Sequence, residues 1–165
     1  MVDGSRKARG LSDAGGPLRA PHVLRRAKGA GMDKTIADQI KGLRLPFADL
    51  LGITLEILDA DRIVAKMLVR DDLCTLGRTL HGGAVMALAD TAGAVATFVN
   101  LPEGARGTTT LESKTNFVSP APAGMVVTAT ATPVHRGRRT QVWQTRIETQ
   151  DGKLVALVTQ TQMVL

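Results

Sequence analysis

Residues 80–99, LHGGAVMALADTAGAVATFV, decide how the rest of the chain must fold. From Gly82 to Val99 a single side chain, Asp90, carries charge among Ala, Val, Met, Leu, Thr, Gly and Phe. A run of this length is a candidate membrane span. A carboxylate at its centre would cost about 2.5–3.5 kcal/mol on insertion, however, and the sequence offers no second span. A helix that is apolar on all faces in a water-soluble chain is a buried central helix. Asn100-Leu101-Pro102 ends it, because proline cannot continue the hydrogen-bond ladder.

On either side of this helix the hydrophobic period changes from helical to alternating. Upstream, Ile53–Leu58 and Arg62–Val69 read as two strands joined around Asp59-Ala60-Asp61. Pro46–Leu51 reads as a helical turn leading into Gly52, and Asp33 can cap a short helix to about Lys41 with Ile36 and Ile40 on one face. Downstream, Gly107–Val118, Met125–Val134, Thr140–Thr149 and Leu154–Val164 read as four long strands in an antiparallel meander. Val127 to Thr132 alternates strictly, Asp151-Gly152 is a hairpin signal, and His135–Arg139 is a glycine-containing loop. The predicted architecture is α+β, an antiparallel sheet wrapped around one central helix. The sheet covers part of that helix, and the small residues Ala84, Ala87, Ala89, Ala92, Gly93, Ala94 and Ala96 suit close approach by a second copy. A homodimer, assembled further into a tetramer, is the expected form.

Composition narrows the function. The chain has 165 residues, 44% hydrophobic and 22% charged, enough for one core. Its net charge of +6 is concentrated in residues 1–31, where seven basic side chains face two acidic ones. That segment, rich in Gly, Ala, Pro and Arg, reads as a disordered basic extension, with the domain occupying 32–165. It lacks an apolar secretory run, so the expected compartment is the cytoplasm. Four aromatics and no Tyr argue against nucleic-acid binding by stacking. One cysteine, Cys74, and three histidines leave no expected disulfide or metal cluster, and a lone Cys74 is not an expected nucleophile.

Two features carry chemistry. His81-Gly82-Gly83 opens the helix, where free N–H groups and the helix dipole can stabilise an anion or a developing oxyanion, and glycines let a ligand approach the backbone. Alternatively, the glycines merely fray the helix start, with His81 as a cap. Asp90 is costly in apolar surroundings unless paired or solvated. It is either a structural residue bonded to Thr91, Thr97 or a neighbouring strand, or a nucleophile or general base.

The stretch Leu80–Thr91 resembles the hallmark of hotdog-fold acyl-CoA thioesterases of the phenylacetate-pathway, PaaI-like group. Thr108–Phe117 and His135–Thr140 resemble that group's later strands, so the similarity runs from about residue 45 to 165. The resemblance implies a hotdog fold, thioester hydrolysis without metal or cofactor, and acyl-CoA as the partner molecule, with no nucleic acid or membrane. It implies that Gly82 supplies an oxyanion N–H, with Gly83 beside it on the substrate. His81 would hold the turn, Asp90 would be nucleophile or base, and Thr110 would lie near the attacking water. Arg136, Gly137, Arg138 and Arg139 would take the phosphates of coenzyme A, as guanidinium groups and loop amides can. One departure is Thr75, where the family often has Asn or Gln; the neighbouring glycine, Gly77, is shifted as well. The rival readings are a hotdog hydratase or dehydratase, and a non-catalytic acyl-CoA-binding module.

Gly82 and Asp90 are eight residues apart on one helix, about 12 Å along its axis. One thioester cannot meet both on the same helix. Two helices related by a twofold can place Gly82 of one beside Asp90 of the other, giving two equivalent sites.

Overall fold

The computed structural model describes Ile40, Gly42 and residues 44–165; the extension expected over 1–31 lies outside them, as does most of the helix expected over 33–41. The elements are α1 (Pro46–Leu51), β1 (Ile53–Asp59), β2 (Arg62–Leu68), α2 (Gly82–Val99), β3 (Thr108–Phe117), β4 (Val126–Arg136), β5 (Thr140–Thr149) and β6 (Leu154–Val164). A single 3-10 turn, Asp71–Leu73, follows β2. α1 stops at Gly52, whose φ of 71° is one that residues with a Cβ rarely adopt.

The six strands form one antiparallel sheet in the order β1-β2-β4-β5-β6-β3, and α2 touches all six. The expected meander is therefore only partly realised. β4, β5 and β6 are consecutive neighbours, but β3 crosses to the far edge and pairs with β6, from Thr108 opposite Val164 to Phe117 opposite Ala156. β4 takes the place beside β2 instead, with Ala65 opposite Ala129. α2 lies between β2 and β3 in the chain, and these two strands stand on either side of the β4-β5-β6 group that the helix covers.

Short side chains let helix and sheet approach closely. Ala89, Ala92 and Ala96 of α2 are fully buried, as are Ala65, Ala129, Ala131 and Ala156 of the sheet. Leu88, Ile63, Met67, Trp143 and Ile147 fill the remaining volume. Each such side chain contributes about 1.5–3 kcal/mol through burial. This corrects the expectation for the helix surface. Ala84, Ala89, Ala92, Gly93 and Ala96 are buried within the chain itself. The open stripe is Gly83, Met86, Ala87, Asp90, Thr91 and Ala94, with Gly83, Met86 and Asp90 exposed. α2 is thus not apolar and buried on every face; one side of it, carrying the carboxylate, is uncovered.

Both ends of α2 are fixed. At its C-terminus Gln141 Nε2 donates to Asn100 O at 2.9 Å, and Asn100 Nδ2 donates to Ala60 O and Ala96 O, each at 2.9 Å. At its N-terminus the segment 73–81 doubles back on itself: His81 N donates to Leu73 O, and Leu80 N donates to Ala121 O of the β3–β4 connection. Helix register against the sheet is therefore set at two points, and Asp90 inherits its position from both.

Candidate active site

The first turn of α2 has a specific pattern of used and unused donors. His81 is the N-cap, with φ −65° and ψ 138°, and its Nδ1 accepts from Gly83 N–H at 2.9 Å. Its carbonyl accepts from Ala84 N at 2.9 Å and Val85 N at 3.1 Å. Gly82 N–H is left as the donor in this turn with no acceptor among the described residues. The sequence places both glycines on a ligand; in the structure Gly83 has already spent its N–H on His81. A Cβ on Gly83 would lie 3.0 Å from His81 Nδ1, so glycine there preserves the cap.

Asp90 sits two turns further along, on the open stripe. Thr110 Oγ1 of β3 donates to Asp90 Oδ1 at 2.8 Å, and Gln160 Nε2 of β6 donates to the same oxygen at 2.9 Å. Gln162 Nε2 in turn donates to Thr110 Oγ1 at 2.8 Å. Because that hydroxyl accepts from Gln162, its one hydrogen is directed at the carboxylate. Asp90 Oδ2 has no partner among the described residues. Of the partners considered for Asp90, the neighbouring strand holds it, through Thr110, while Thr91 and Thr97 donate to Ala87 O and Gly93 O of their own helix. Gln160 and Gln162 were not singled out from sequence. Their signal is their spacing: two glutamines two apart on a strand share one face, here the buried one.

Two clefts border these groups. One, of about 360 Å³, opens at Gly82 between Leu80, Val85, Phe117, Val118, Pro120 and Val155. The Phe117 ring lies against Gly82, so near that a Cβ there would be 3.1 Å from its Cζ. The other, of about 230 Å³, has Thr91 as its α2 wall and Leu45, Ala48, Ile53 and Leu55 opposite.

The arginines part company. Arg136 is not a free phosphate ligand: its guanidinium donates to Ala60 O at 3.0 Å and Asn100 Oδ1 at 3.2 Å, and pairs with Asp61 at 2.7 Å. It fastens the β4–β5 hairpin to the β1–β2 turn and to the end of α2. Gly137 N–H is occupied too, donating to Thr140 O at 2.9 Å. Arg138 and Arg139 are exposed and make no ion pair among the described residues. Cys74 is half-buried and its thiol donates to Arg70 O, a structural contact.

Comparison with known proteins supplies the family. The thioesterase superfamily model matches residues 77–156. The acyl-coenzyme A thioesterase PaaI of Escherichia coli is 34% identical over 67% of this chain and 76% of its own. Its solved structure superposes with a TM-score of 0.72 over 79% of this chain and 91% of that one, at 29% identity.

The chain belongs to the thioesterase superfamily.

It is a hotdog-fold thioesterase of the PaaI-like group. A thioesterase structure from Haemophilus influenzae matches with a TM-score of 0.71 at 33% identity, over 79% of this chain and 90% of that one. The 1,4-dihydroxy-2-naphthoyl-CoA hydrolase of Escherichia coli is 36% identical over 63% of this chain and 75% of its own. The apolar helix Gly82–Val99, long enough to cross a membrane, is the core helix of this fold.

Proposed function

We propose that this thioesterase hydrolyses acyl- or aryl-coenzyme A to the free acid and coenzyme A, in two sites that two copies of the chain share. The observation that carries the reading is the state of Asp90. One carboxylate oxygen is held by Thr110 and Gln160 while the other has no partner among the described residues, on the helix face that the sheet leaves open. An unpaired oxygen on a fixed carboxylate is what either route requires, attack on the thioester carbonyl or removal of a proton from attacking water.

In the water route, Asp90 Oδ2 takes the proton as oxygen adds to the carbonyl carbon. The developing oxyanion accepts from Gly82 N–H of the second copy. The C–S bond then breaks, and the proton passes to the departing sulfur. These steps use water and the protein's own groups, with no metal or cofactor. Arg138 and Arg139 favour the shared arrangement. Their hairpin lies at the C-terminal end of α2, beside Asn100, while the chain's own Gly82 is at the other end, about 27 Å away. A thioester at Asp90 is ten residues from that end, about 15 Å, a gap for the pantetheine arm to span. The open stripe of α2 and the free edge of β3 provide the surface for the second copy. We propose that the resulting dimer pairs again into a tetramer.

The hydratase alternative would need the His81 imidazole as a base, but its Nδ1 accepts from Gly83 N–H, which puts the ring proton on Nε2 and leaves a donor there. The test is free-thiol release from a panel of acyl- and aryl-CoA esters, with the Asp90→Asn protein alongside. Hydrolysis that falls at least about 100-fold in that variant supports the reading. A folded wild-type protein that binds acyl-CoA and releases no thiol would leave only the binding-module reading.

A further inference from the structure

Gln160 is fully buried in the middle of β6, yet only half of its amide is satisfied. Nε2 donates to Asp90 Oδ1, while Oε1 is buried with no hydrogen-bond partner among the described residues. Inverting the amide does not help, since Oε1 would then face a carboxylate oxygen, acceptor against acceptor. An orphaned buried carbonyl costs stability, and an apolar side chain of similar volume would avoid that cost.

The helix makes room for this amide at a second cost. Gly93, one turn beyond Asp90 and fully inside α2, stands directly over Gln160. A Cβ at position 93 would collide with Gln160 Oε1 and lie 3.2 Å from its Cδ. Glycine in a helix interior is less favourable than alanine. Two unfavourable features, an unsatisfied amide oxygen and a mid-helix glycine, thus have one product: a single N–H aimed at Asp90 Oδ1.

We propose that Gln160, seated in the Gly93 notch, is a positioning residue for the reaction. Together with Thr110 it locks the Asp90 carboxylate so that Oδ2, and not Oδ1, is the oxygen presented to the thioester. This rests on the proposed role of Asp90. Without Gln160, one hydrogen bond from Thr110 leaves the carboxylate free to rotate and share that bond between its two oxygens. Substrate binding, which uses other surfaces, is then unaffected, while the population of the reactive rotamer falls.

The experiment compares the purified full-length wild type with Gln160→Leu, Gln160→Met, Gly93→Ala and Asp90→Asn, on the acyl-CoA ester that the wild type hydrolyses fastest. The expected result for both Gln160 variants is a kcat about 10- to 100-fold lower with KM within about twofold of wild type. Their Tm should be equal to wild type or higher, because the orphaned oxygen is gone. Gly93→Ala, which pushes the amide aside, should lower kcat in the same way. Unchanged kcat in Gln160→Leu, or a Tm that drops so that activity is lost through unfolding, would overturn the proposal by making the amide structural. Full activity in Asp90→Asn would overturn the role of Asp90 itself, and with it this inference. A dead Asp90→Asn beside fully active Gln160 variants would overturn the inference alone.

Discussion

Thr110 on the edge strand β3 reaches across to α2 and donates its hydroxyl hydrogen to Asp90 Oδ1 at 2.8 Å. The contact ties the strand at the end of the sheet to the face of the helix that the sheet leaves open. It also means that the carboxylate is held from the strand side through one oxygen, while the other has no partner among the described residues. The proposed chemistry follows from that asymmetry.

The two kinds of arginine in the β4–β5 hairpin should separate experimentally. Replacing Arg138 and Arg139 together by Ala should raise KM for acyl-CoA and leave hydrolysis of a short thioester without the nucleotide nearly unchanged. Arg136→Ala should instead lower Tm, because it removes the tie between Ala60, Asp61 and Asn100. Steady-state kinetics on both substrates and thermal unfolding check the pair. Equal losses on the two substrates in the double variant would remove the phosphate role.

His81→Ala should cost about 0.5–2 kcal/mol of stability, the usual worth of an N-cap, because Gly83 N–H loses its acceptor. His81→Asn, whose side-chain oxygen can cap in the same way, should recover most of it. Denaturant unfolding of the two variants measures this directly. A His81→Ala protein as stable as wild type would show that the cap contributes nothing.

Arg70 donates to Leu50 O and Leu51 O at the end of α1 and is itself held by Asp72. The Arg70 hydrogen bond keeps the Asp72 carboxyl below its ordinary 3.8. A carboxyl lowered in the folded state adds stability above its unfolded value and loses it as pH falls through the folded one. Wild type should therefore be slightly more stable than Asp72→Asn at pH 7, with the difference fading below about pH 4. Tm values for both proteins between pH 3 and 7 test it, and a gap that persists in acid would contradict it.

How far the sequence carried this reading depends on the range of each signal. Strand positions and the limits of α2 follow from local periodicity, so Val127 to Thr132 and Gly82 to Val99 were legible. The place of β3 was not, because its partner β6 lies some fifty residues downstream and alternation does not say which strands adjoin. Arg136 reads as a phosphate ligand in an arginine-rich loop; only the fold brings residues 60, 61 and 100 to it. His81 as a cap is one of the two readings of His81-Gly82-Gly83, and the structure has it; which glycine N–H the imidazole takes, and which it leaves, only the folded turn shows. Gln160 and Gly93 are seventy and three residues from Asp90, and nothing local links them.

The shared site is the central claim, and complementation measures it most directly. Asp90→Asn removes the proposed base or nucleophile. Gly82→Pro removes the N–H of the helix start that has no acceptor among the described residues. The backbone suits proline at this first helical position, with His81 already at an extended ψ of 138°, and the exposed Phe117 ring, 3.1 Å from a Cβ there, must move aside. Each variant alone should be nearly inactive. Co-expressed with separate tags, random pairing makes about half the dimers mixed, each with one intact site, so activity should return to roughly a quarter of wild type. Mixed dimers that are folded, isolated and still inactive would contradict the account.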